Sequence, residues 1–205
     1  MGKIFEFRPG SYIDHVSGAV GTNNNGKFVR SEKGIAWEGF GNVGDSIVYT
    51  DTHDDVIVVP GQFSGYAWVK FNDVVSAQQF LSVTNDAGDR FALGMENGII
   101  RWSELGGNER SGGNIQPNEW YFIVFSFNNT SHSLYINEVA QVGVLSNAAH
   151  YAGVGFRLGC GATSAANLDG QLGRVGIYDY ILTEKERAKL YSEFLRSVPT
   201  TKTVS

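Results

Sequence analysis

The sequence predicts an all-β protein, an antiparallel two-sheet jelly-roll sandwich with one C-terminal helix. Three observations lead to this fold class: apolar runs are short and regularly spaced, clusters of Gly, Asn, Asp and Ser separate them, and only one segment has helical periodicity. The 205 residues include 26 Gly, 13 Phe and 9 Tyr but only 4 Pro. Because glycine supplies the positive φ of tight turns and aromatic side chains pack well on pleated surfaces, this composition suits many short strands.

We predict a single sandwich domain over residues 1–197, in which residues 1–30 form an irregular N-terminal segment. A flexible polar tail follows over residues 198–205. The chain is long enough to bury a full core without disulfides or metal ions. Strands are expected at residues 35–40, 45–50, 55–59, 64–72, 78–84, 90–95, 98–103, 119–127, 132–137, 139–145, 154–159 and 168–178.

Local patterns predict how several of these strands are connected. Residues 85–89, Asn-Asp-Ala-Gly-Asp, have the composition of a hairpin loop, and Asn97-Gly98 is the strongest signal for a two-residue hairpin turn. The run from Tyr121 to Phe127 is apolar on both faces. Such a run is typical of a central strand that is covered on both sides.

The C-terminal segment from residue 184 is the predicted helix. Thr183 and Glu186 have the spacing of a capping box, in which each side chain binds the other residue's backbone N–H. An apolar stripe on the helix should dock on a sheet. The expected members of this stripe are Ala188, Tyr191, Phe194 and Leu195.

A series of segments resembles one known family. In chain order these are residues 63–70, which include Ala-Trp-Val, 91–94, 98–102, 118–124, 133–137, 156–159, 168–178 and 182–186. Together they resemble the laminin-G-like jelly-roll domains of the concanavalin A-like lectin/glucanase superfamily, over roughly residues 14–195. The resemblance implies the sandwich fold, and it implies little about function because one fold hosts many functions.

The chain departs from the pattern of that family at two positions. Glu138 stands where a hairpin of the family usually has Gly, so this turn should be strained or longer. Gly173 stands where the family often carries an Asp beside a structural calcium ion. We expect no cofactor, with a calcium ion held by Asp14, Asp169 and backbone carbonyls as the alternative.

Charge and composition argue against several classes of partner. The net charge is −5 without any Lys/Arg run, so no nucleic-acid partner is expected. No stretch approaches the roughly 20 apolar residues of a membrane helix, so no membrane partner is expected either. Residues 1–8 lack the apolar core of a signal peptide, and Glu6 argues against myristoylation. Together with the single Cys160, this predicts either a virion surface or cytoplasmic synthesis with later release.

The sequence also lacks the usual signs of catalysis. Glycan hydrolases of this fold use paired carboxylates, commonly spaced as Glu-x-Asp-x-Glu on one strand, and no such pattern occurs. The four His residues have no zinc-ligand spacing. The acidic group at residues 51–55 is interpreted as a turn. We therefore expect a protein that is not an enzyme.

Candidate ligand-binding residues come from polar loops that contain or follow an aromatic residue. Glycan sites combine an aromatic face with amide or charged groups, and the stretch after Trp102 offers both. Trp37, Trp68 and Trp120 are expected in the core instead. The predicted ligand-binding residues are Trp102, Asn108, Arg110, Asp86, Asp89 and Tyr151.

These observations favour a non-catalytic recognition module that binds a carbohydrate or a cell-surface polymer. A structural or decoration subunit of a bacteriophage virion is the first alternative, with other virion proteins as partners and a homo-oligomer as its assembly. An atypical polysaccharide hydrolase or lyase is the second alternative.

Overall fold

The structure, a computed structural model, describes residues 2–50, 62–85, 88–104, 109–128, 131–141, 155–161 and 166–196. These residues form two antiparallel sheets and one helix, which confirms the predicted fold class. The eight-stranded sheet contains β1 (Lys3–Phe7), β3 (Lys27–Ser31), β4 (Gly34–Phe40), β6 (Gln62–Phe71), β11 (Trp120–Asn128), β12 (His132–Ile136), β13 (Val139–Gln141) and β15 (Asp169–Tyr178). The seven-stranded sheet contains β2 (Thr22–Asn24), β5 (Ser46–Thr50), β7 (Gln78–Asn85), β8 (Gly88–Glu96), β9 (Ile99–Glu104), β10 (Glu109–Gly112) and β14 (Gly155–Leu158).

The prediction of an irregular segment over residues 1–30 is wrong. Three strands lie there, and β1 pairs with β15 at the far end of the chain, with Phe7 opposite Val175. Phe5 and Phe7 are fully buried in the core, whereas Glu6 between them faces the other side of the sheet. β10 was also not predicted, because its sequence Glu-Arg-Ser-Gly has no apolar alternation. The predicted strand at 55–59 and the tail at 198–205 lie outside the described residues.

Strand β11 is covered on both faces, as predicted. Ile123, Phe125 and Phe127 point into the core between the sheets. Phe122 and Val124 point to the opposite face and join a second apolar cluster, which also contains Phe194 of the helix. The helix therefore covers the outer face of the eight-stranded sheet.

Helix α1 (Glu184–Arg196) begins with the predicted capping box. The Thr183 N–H donates to Glu186 Oε2 at 2.8 Å, and the Glu186 N–H donates to Thr183 Oγ1 at 3.3 Å. The predicted docking stripe is only partly correct, because Ala188 and Leu195 are exposed. Phe194 is buried, and Leu190 and Tyr191 pack beside it.

The turn between β12 and β13 is a strained two-residue hairpin. Asn137 and Glu138 have φ values of 49° and 65°, the left-handed region that glycine adopts most easily. The family's usual Gly is thus replaced without lengthening the turn. Glu138 Oε2 lies 3.7 Å from Arg187 Nε on the helix, so this residue also contacts α1.

The tryptophans divide between three environments. Trp37 is fully buried in the core, as expected, and Trp68 is buried between the eight-stranded sheet and the helix. Trp120, expected in the core, is only partly buried, and its indole Nε1 donates to Glu32 Oε2 at 2.9 Å. No helix among the described residues is long and apolar enough to cross a membrane.

Candidate functional site

Trp102 does not form part of a ligand site, which corrects the sequence-based prediction. Its side chain is fully buried between the sheets, and its ring packs edge-on against Phe125 and His132, at 5.6 Å and 4.5 Å between ring centroids. The alternation on β9 explains this position, because Ile100 and Trp102 face the core while Arg101 and Ser103 face outward. The ring therefore has no face open to a ligand.

The other predicted ligand-binding residues lie at or beyond the limits of the described residues. Asp86, Asn108 and Tyr151 fall outside them. Asp89 lies in β8, paired with Thr84, and Arg110 lies in β10, paired with Trp102. β8 begins and β9 ends at the same end of the seven-stranded sheet, since Phe91 pairs with Glu104. Their role in binding stays a prediction.

The two carboxylates of the alternative calcium site are not brought together. Asp14 lies beside Phe7, which pairs with Val175, whereas Asp169 lies at the opposite end of β15. The Asp14 carboxylate already accepts hydrogen bonds from the backbone N–H groups of Glu6, Val16 and Ser17. No group of three or more acidic, His or Cys side chains among the described residues could hold a metal ion.

A bulge in β15 opens a depression on the helix side of the eight-stranded sheet. Leu172 pairs with Val69 and Val175 with Ala67, so Gly173 and Arg174 contribute one residue more than the facing strand. On the other edge of β15, the residues up to Leu172 pair with β4, and the residues from Val175 onward pair with β1. Gly173 and Arg174 therefore face a gap between the ends of two strands.

Three adjoining depressions, of about 300, 350 and 290 Å³, share Arg174 in their walls. We call them together the helix crevice. Aromatic side chains form part of its wall, with Trp68 beside Arg174 and Tyr66 and Tyr178 beneath the helix. Tyr180 lies at the rim, and its hydroxyl donates to Glu186 Oε1 at 2.9 Å. The other charged residues in the wall are Lys3, Glu6, Arg8, Lys33, Glu186, Lys189, Glu193 and Arg196. The remaining lining residues are uncharged: Pro9, Gly34, Ile35, Leu182 and Leu190.

Arg174 is the central cation of the helix crevice. Its guanidinium carbon lies 5.2 Å from the Trp68 ring centre, and its Nη1 lies 3.3 Å from Glu193 Oε2 on the helix. The Arg174 side chain is 40% exposed. A Cβ at Gly173 would lie 2.9 Å from Trp68 Cβ, so only glycine lets Trp68 approach the bulge this closely. The glycine that stands in place of the family's Asp is therefore what allows Trp68 to lie against the bulge.

Glu6 holds two of the other cations in place. Its carboxylate accepts hydrogen bonds from Lys3 Nζ and Arg8 Nη2, both at 2.8 Å. Burial raises the pKa of Glu6, but the hydrogen bonds and charges of Arg8 and Lys3 outweigh it and lower the pKa overall. The hydrogen bond to Glu6 raises the pKa of Arg8. Both partners are therefore held in their charged forms.

Lys33 closes the far side of the helix crevice. Its Nζ donates to the backbone oxygen of Phe194 at 2.9 Å and lies 4.0 Å from the centre of the Phe194 ring. Burial lowers the pKa of Lys33. A cation at the last carbonyl groups of a helix is electrostatically favourable, so Lys33 fastens the end of α1 to the β3–β4 hairpin.

The sequence contains only a weak signal for this site. Arg174 interrupts the apolar and glycine pattern of residues 168–178, but a single Arg in a strand usually marks a solvated face. The position of the bulge depends on pairing with β6, about a hundred residues away along the chain. Sequence reasoning therefore missed Arg174, Trp68 and Tyr180 as site residues.

Two further depressions differ in character from the helix crevice. One, of about 170 Å³, lies on the outer face of the seven-stranded sheet and contains an ion pair between Arg101 and Glu96 at 3.1 Å, without an aromatic wall. The other, of about 270 Å³, contains Asp73 and Asp169. Hydrogen bonds from the backbone of Val75 and from Ser76 lower the pKa of Asp73 to about 2, as expected of a carboxylate that caps a turn.

Comparison with known proteins adds both a family and similar folds. The receptor-binding domain of botulinum neurotoxin D is 14% identical with a TM-score of 0.75, and 93% of this chain covers 52% of that chain. The binding domain of Paraclostridial Mosquitocidal Protein 1 is 14% identical with a TM-score of 0.74, and the match covers 95% of this chain and 53% of that chain. Trypanosoma rangeli sialidase in complex with the inhibitor DANA is 14% identical with a TM-score of 0.69, and the match covers 93% of this chain and 32% of that chain.

This chain thus spans about half the length of the two toxin domains and about a third of the sialidase chain. At 14% identity these similarities establish the fold alone. No curated protein sequence matches the chain. A family model for laminin-G domains, described as the concanavalin A-like lectin/glucanases superfamily, matches residues 42–186, which is more than half of the chain. The chain therefore belongs to the laminin-G-like branch of the concanavalin A-like lectin/glucanase superfamily.

Proposed function

We propose that this protein is a non-catalytic recognition module that binds a carbohydrate or a cell-surface polymer in the helix crevice. The observation that carries the proposal is the combination of aromatic rings with basic side chains around one opening. Sugars present C–H faces that pack on aromatic rings and hydroxyl groups that bind charged or amide groups. Tyr180 and Arg174 supply these two kinds of group.

The similar toxin structures are described as binding domains, and one of them as a receptor-binding domain. This supports recognition as a use of the fold. The similar sialidase is an enzyme, so the fold by itself does not separate binding from catalysis. That distinction depends on the side chains of the site.

The carboxylates of the helix crevice support a role without catalysis. Glu6 is held by Lys3 and Arg8, Glu186 by Thr183 and Tyr180, and Glu193 by Arg174. The pKa values of Glu6 and Glu186 are lowered, whereas a general acid for glycoside cleavage needs a raised pKa. Steady release of reducing ends from common polysaccharides would contradict a purely binding role.

The proposal is tested by the binding of glycans to the whole chain and to two variants. We expect hits on a glycan array at millimolar ligand concentration, and an affinity at least about fivefold weaker for Tyr180→Ala, since one aromatic contact is lost. Phe40→Ala is the matched control, because Phe40 is an exposed ring away from the helix crevice. Absence of any hit, or equal losses in both variants, would contradict the proposal. The virion subunit and the homo-oligomer stay predictions.

A further inference from the structure

We propose that the helix crevice binds the negatively charged group of an acidic carbohydrate, a carboxylate or a sulfate ester, with Arg174 as its anchor. This inference rests on the proposed function, and it adds the chemical class of the ligand. It is carried by the local charge and by the geometry of Arg174 on the Trp68 ring.

The charge of the helix crevice is opposite to that of the chain. Its walls contain six basic side chains and three carboxylates, an excess of three positive charges on a chain with a net charge of −5. The basic residues are Lys3, Arg8, Lys33, Arg174, Lys189 and Arg196. Because the rest of the surface repels polyanions, attraction of an anion has to arise locally.

Arg174 has the geometry of an oxyanion receptor. A guanidinium has five N–H donors in a planar fork that matches carboxylate and sulfate oxygens. In Arg174 one nitrogen approaches Glu193 at 3.3 Å, which is longer than a good charged hydrogen bond. The Trp68 ring lies beside the guanidinium, and the side chain remains 40% exposed, so further donors can reach a ligand. Glu193 shows that a carboxylate fits this position, and it competes with a ligand for it.

Trp68 provides the aromatic surface on which Arg174 lies. The side chain is 97% buried and lines two of the three depressions, and the Arg174 guanidinium carbon lies over its ring, 5.2 Å from the ring centre. Arginine packs on aromatic faces in this way. The ring therefore supports the guanidinium, and Arg174 itself holds the anion.

The test uses three forms of one polysaccharide: dextran, carboxymethyl-dextran and dextran sulfate. Binding to each immobilised polymer is measured with the full chain at low and at high salt. We expect both anionic forms to bind, dextran to bind at least about tenfold more weakly, and the difference to shrink at high salt because ionic contacts are screened. A preference between the two anionic forms identifies carboxylate or sulfate as the recognised group.

Three variants connect the binding to Arg174. Arg174→Gln should weaken binding to the preferred anionic dextran at least about tenfold, the effect of losing a charged hydrogen bond. Arg101→Gln is the control, because Arg101 forms an ion pair of the same kind, 37% exposed and 3.1 Å from Glu96, on the opposite face of the sandwich. The affinity of the Arg101→Gln variant should stay within about twofold of the affinity of the unmodified chain. Glu193→Gln should tighten binding, since it removes the competing carboxylate.

The proposal of an anionic ligand is contradicted by any of three outcomes. Dextran binds as well as its anionic forms, neither anionic form binds, or the Arg174 and Arg101 variants lose the same affinity. Each of these outcomes is distinct from failure of the proposed function. A neutral glycan that binds the chain and is lost in Tyr180→Ala would preserve carbohydrate recognition while overturning the anionic class. Thermal melting of every variant confirms that the binding data compare folded proteins.

Discussion

The outer face of the eight-stranded sheet carries a helix and a layer of aromatic rings, whereas the outer face of the seven-stranded sheet, around Arg101, presents Ser103, Gln79 and Gly94. A half-exposed Arg–Glu pair lies on each face, at 3.3 Å for Arg174 and 3.1 Å for Arg101. Surface pairs of this kind contribute little to stability. The pair alone therefore does not mark a site, and the aromatic wall makes the difference between the two faces.

The largest effect is expected where the helix joins its sheet. Phe194→Ala should lower the free energy of unfolding by about 3–4 kcal/mol, because a buried ring packed on Trp68 and Phe122 is removed. Leu195→Ala is the control, since Leu195 is the next residue and is 52% exposed. Its loss should stay below about 0.5 kcal/mol. Equal denaturation midpoints of the two variants in urea would show that the aromatic layer does not hold the helix.

A smaller effect is expected at the bulge that separates the helix crevice from an ordinary sheet surface. Gly173→Ala should destabilise the protein by about 1–3 kcal/mol, because the new Cβ would lie 2.9 Å from Trp68 Cβ. Gly2→Ala is the control, because nothing lies within 4 Å of a Cβ at Gly2. An unchanged urea midpoint in Gly173→Ala would mean that Trp68 does not press on the bulge.

The smallest effect concerns the start of the helix and depends on pH. Hydrogen bonds from Thr183 lower the pKa of Glu186 below its ordinary value of 4.5. The folded pKa is below the unfolded one, so the ionised cap stabilises the fold above pH 4.5, and this contribution is lost as the pH falls through the folded pKa. Glu186→Gln should lower the free energy of unfolding by about 0.5 kcal/mol at pH 7. The difference in stability between this variant and the unmodified chain should shrink below pH 4.5.

Glu184→Gln is the control for this pH dependence. It removes the same charge from the first turn and leaves the hydrogen bonds between Thr183 and Glu186 in place. Urea denaturation at several pH values between 3 and 7 measures both variants. If the two variants differ from the original in the same way at every pH, the capping box has no part in the pH dependence.

The sequence predicted what depends on local patterns. The capping box spans four residues, the Asn97-Gly98 turn two, and β11 is a continuous apolar run, so neighbours in the chain determine each of them. Strand β1 is only five residues long and pairs with β15 near the other end of the chain, so its neighbours give no comparable signal. Long-range pairing of this kind is not visible in a single sequence.

The site was harder to predict than the fold for the same reason. Arg174 faces the helix crevice because a bulge shifts the register of β15 against Ala67 and Val69. No local pattern reports that shift. Trp102 was misassigned because the polar loop after it was weighted more heavily than the alternation of Ile100 and Trp102 on β9, which places both in the core. Period-two alternation is the better guide for a residue inside a strand.

NMR mapping of the bound ligand on the surface shows directly whether the helix crevice is the binding site. A short carboxymethyl-dextran oligosaccharide is titrated into the labelled full chain, and the side-chain N–H signals of Trp68 and Arg174 are followed together with that of Arg101. Binding in the helix crevice should shift the Trp68 indole and Arg174 signals progressively and leave the Arg101 signal unchanged. Shifts confined to Arg101 and its neighbours would place recognition on the seven-stranded sheet and contradict the assignment of the helix crevice as the binding site.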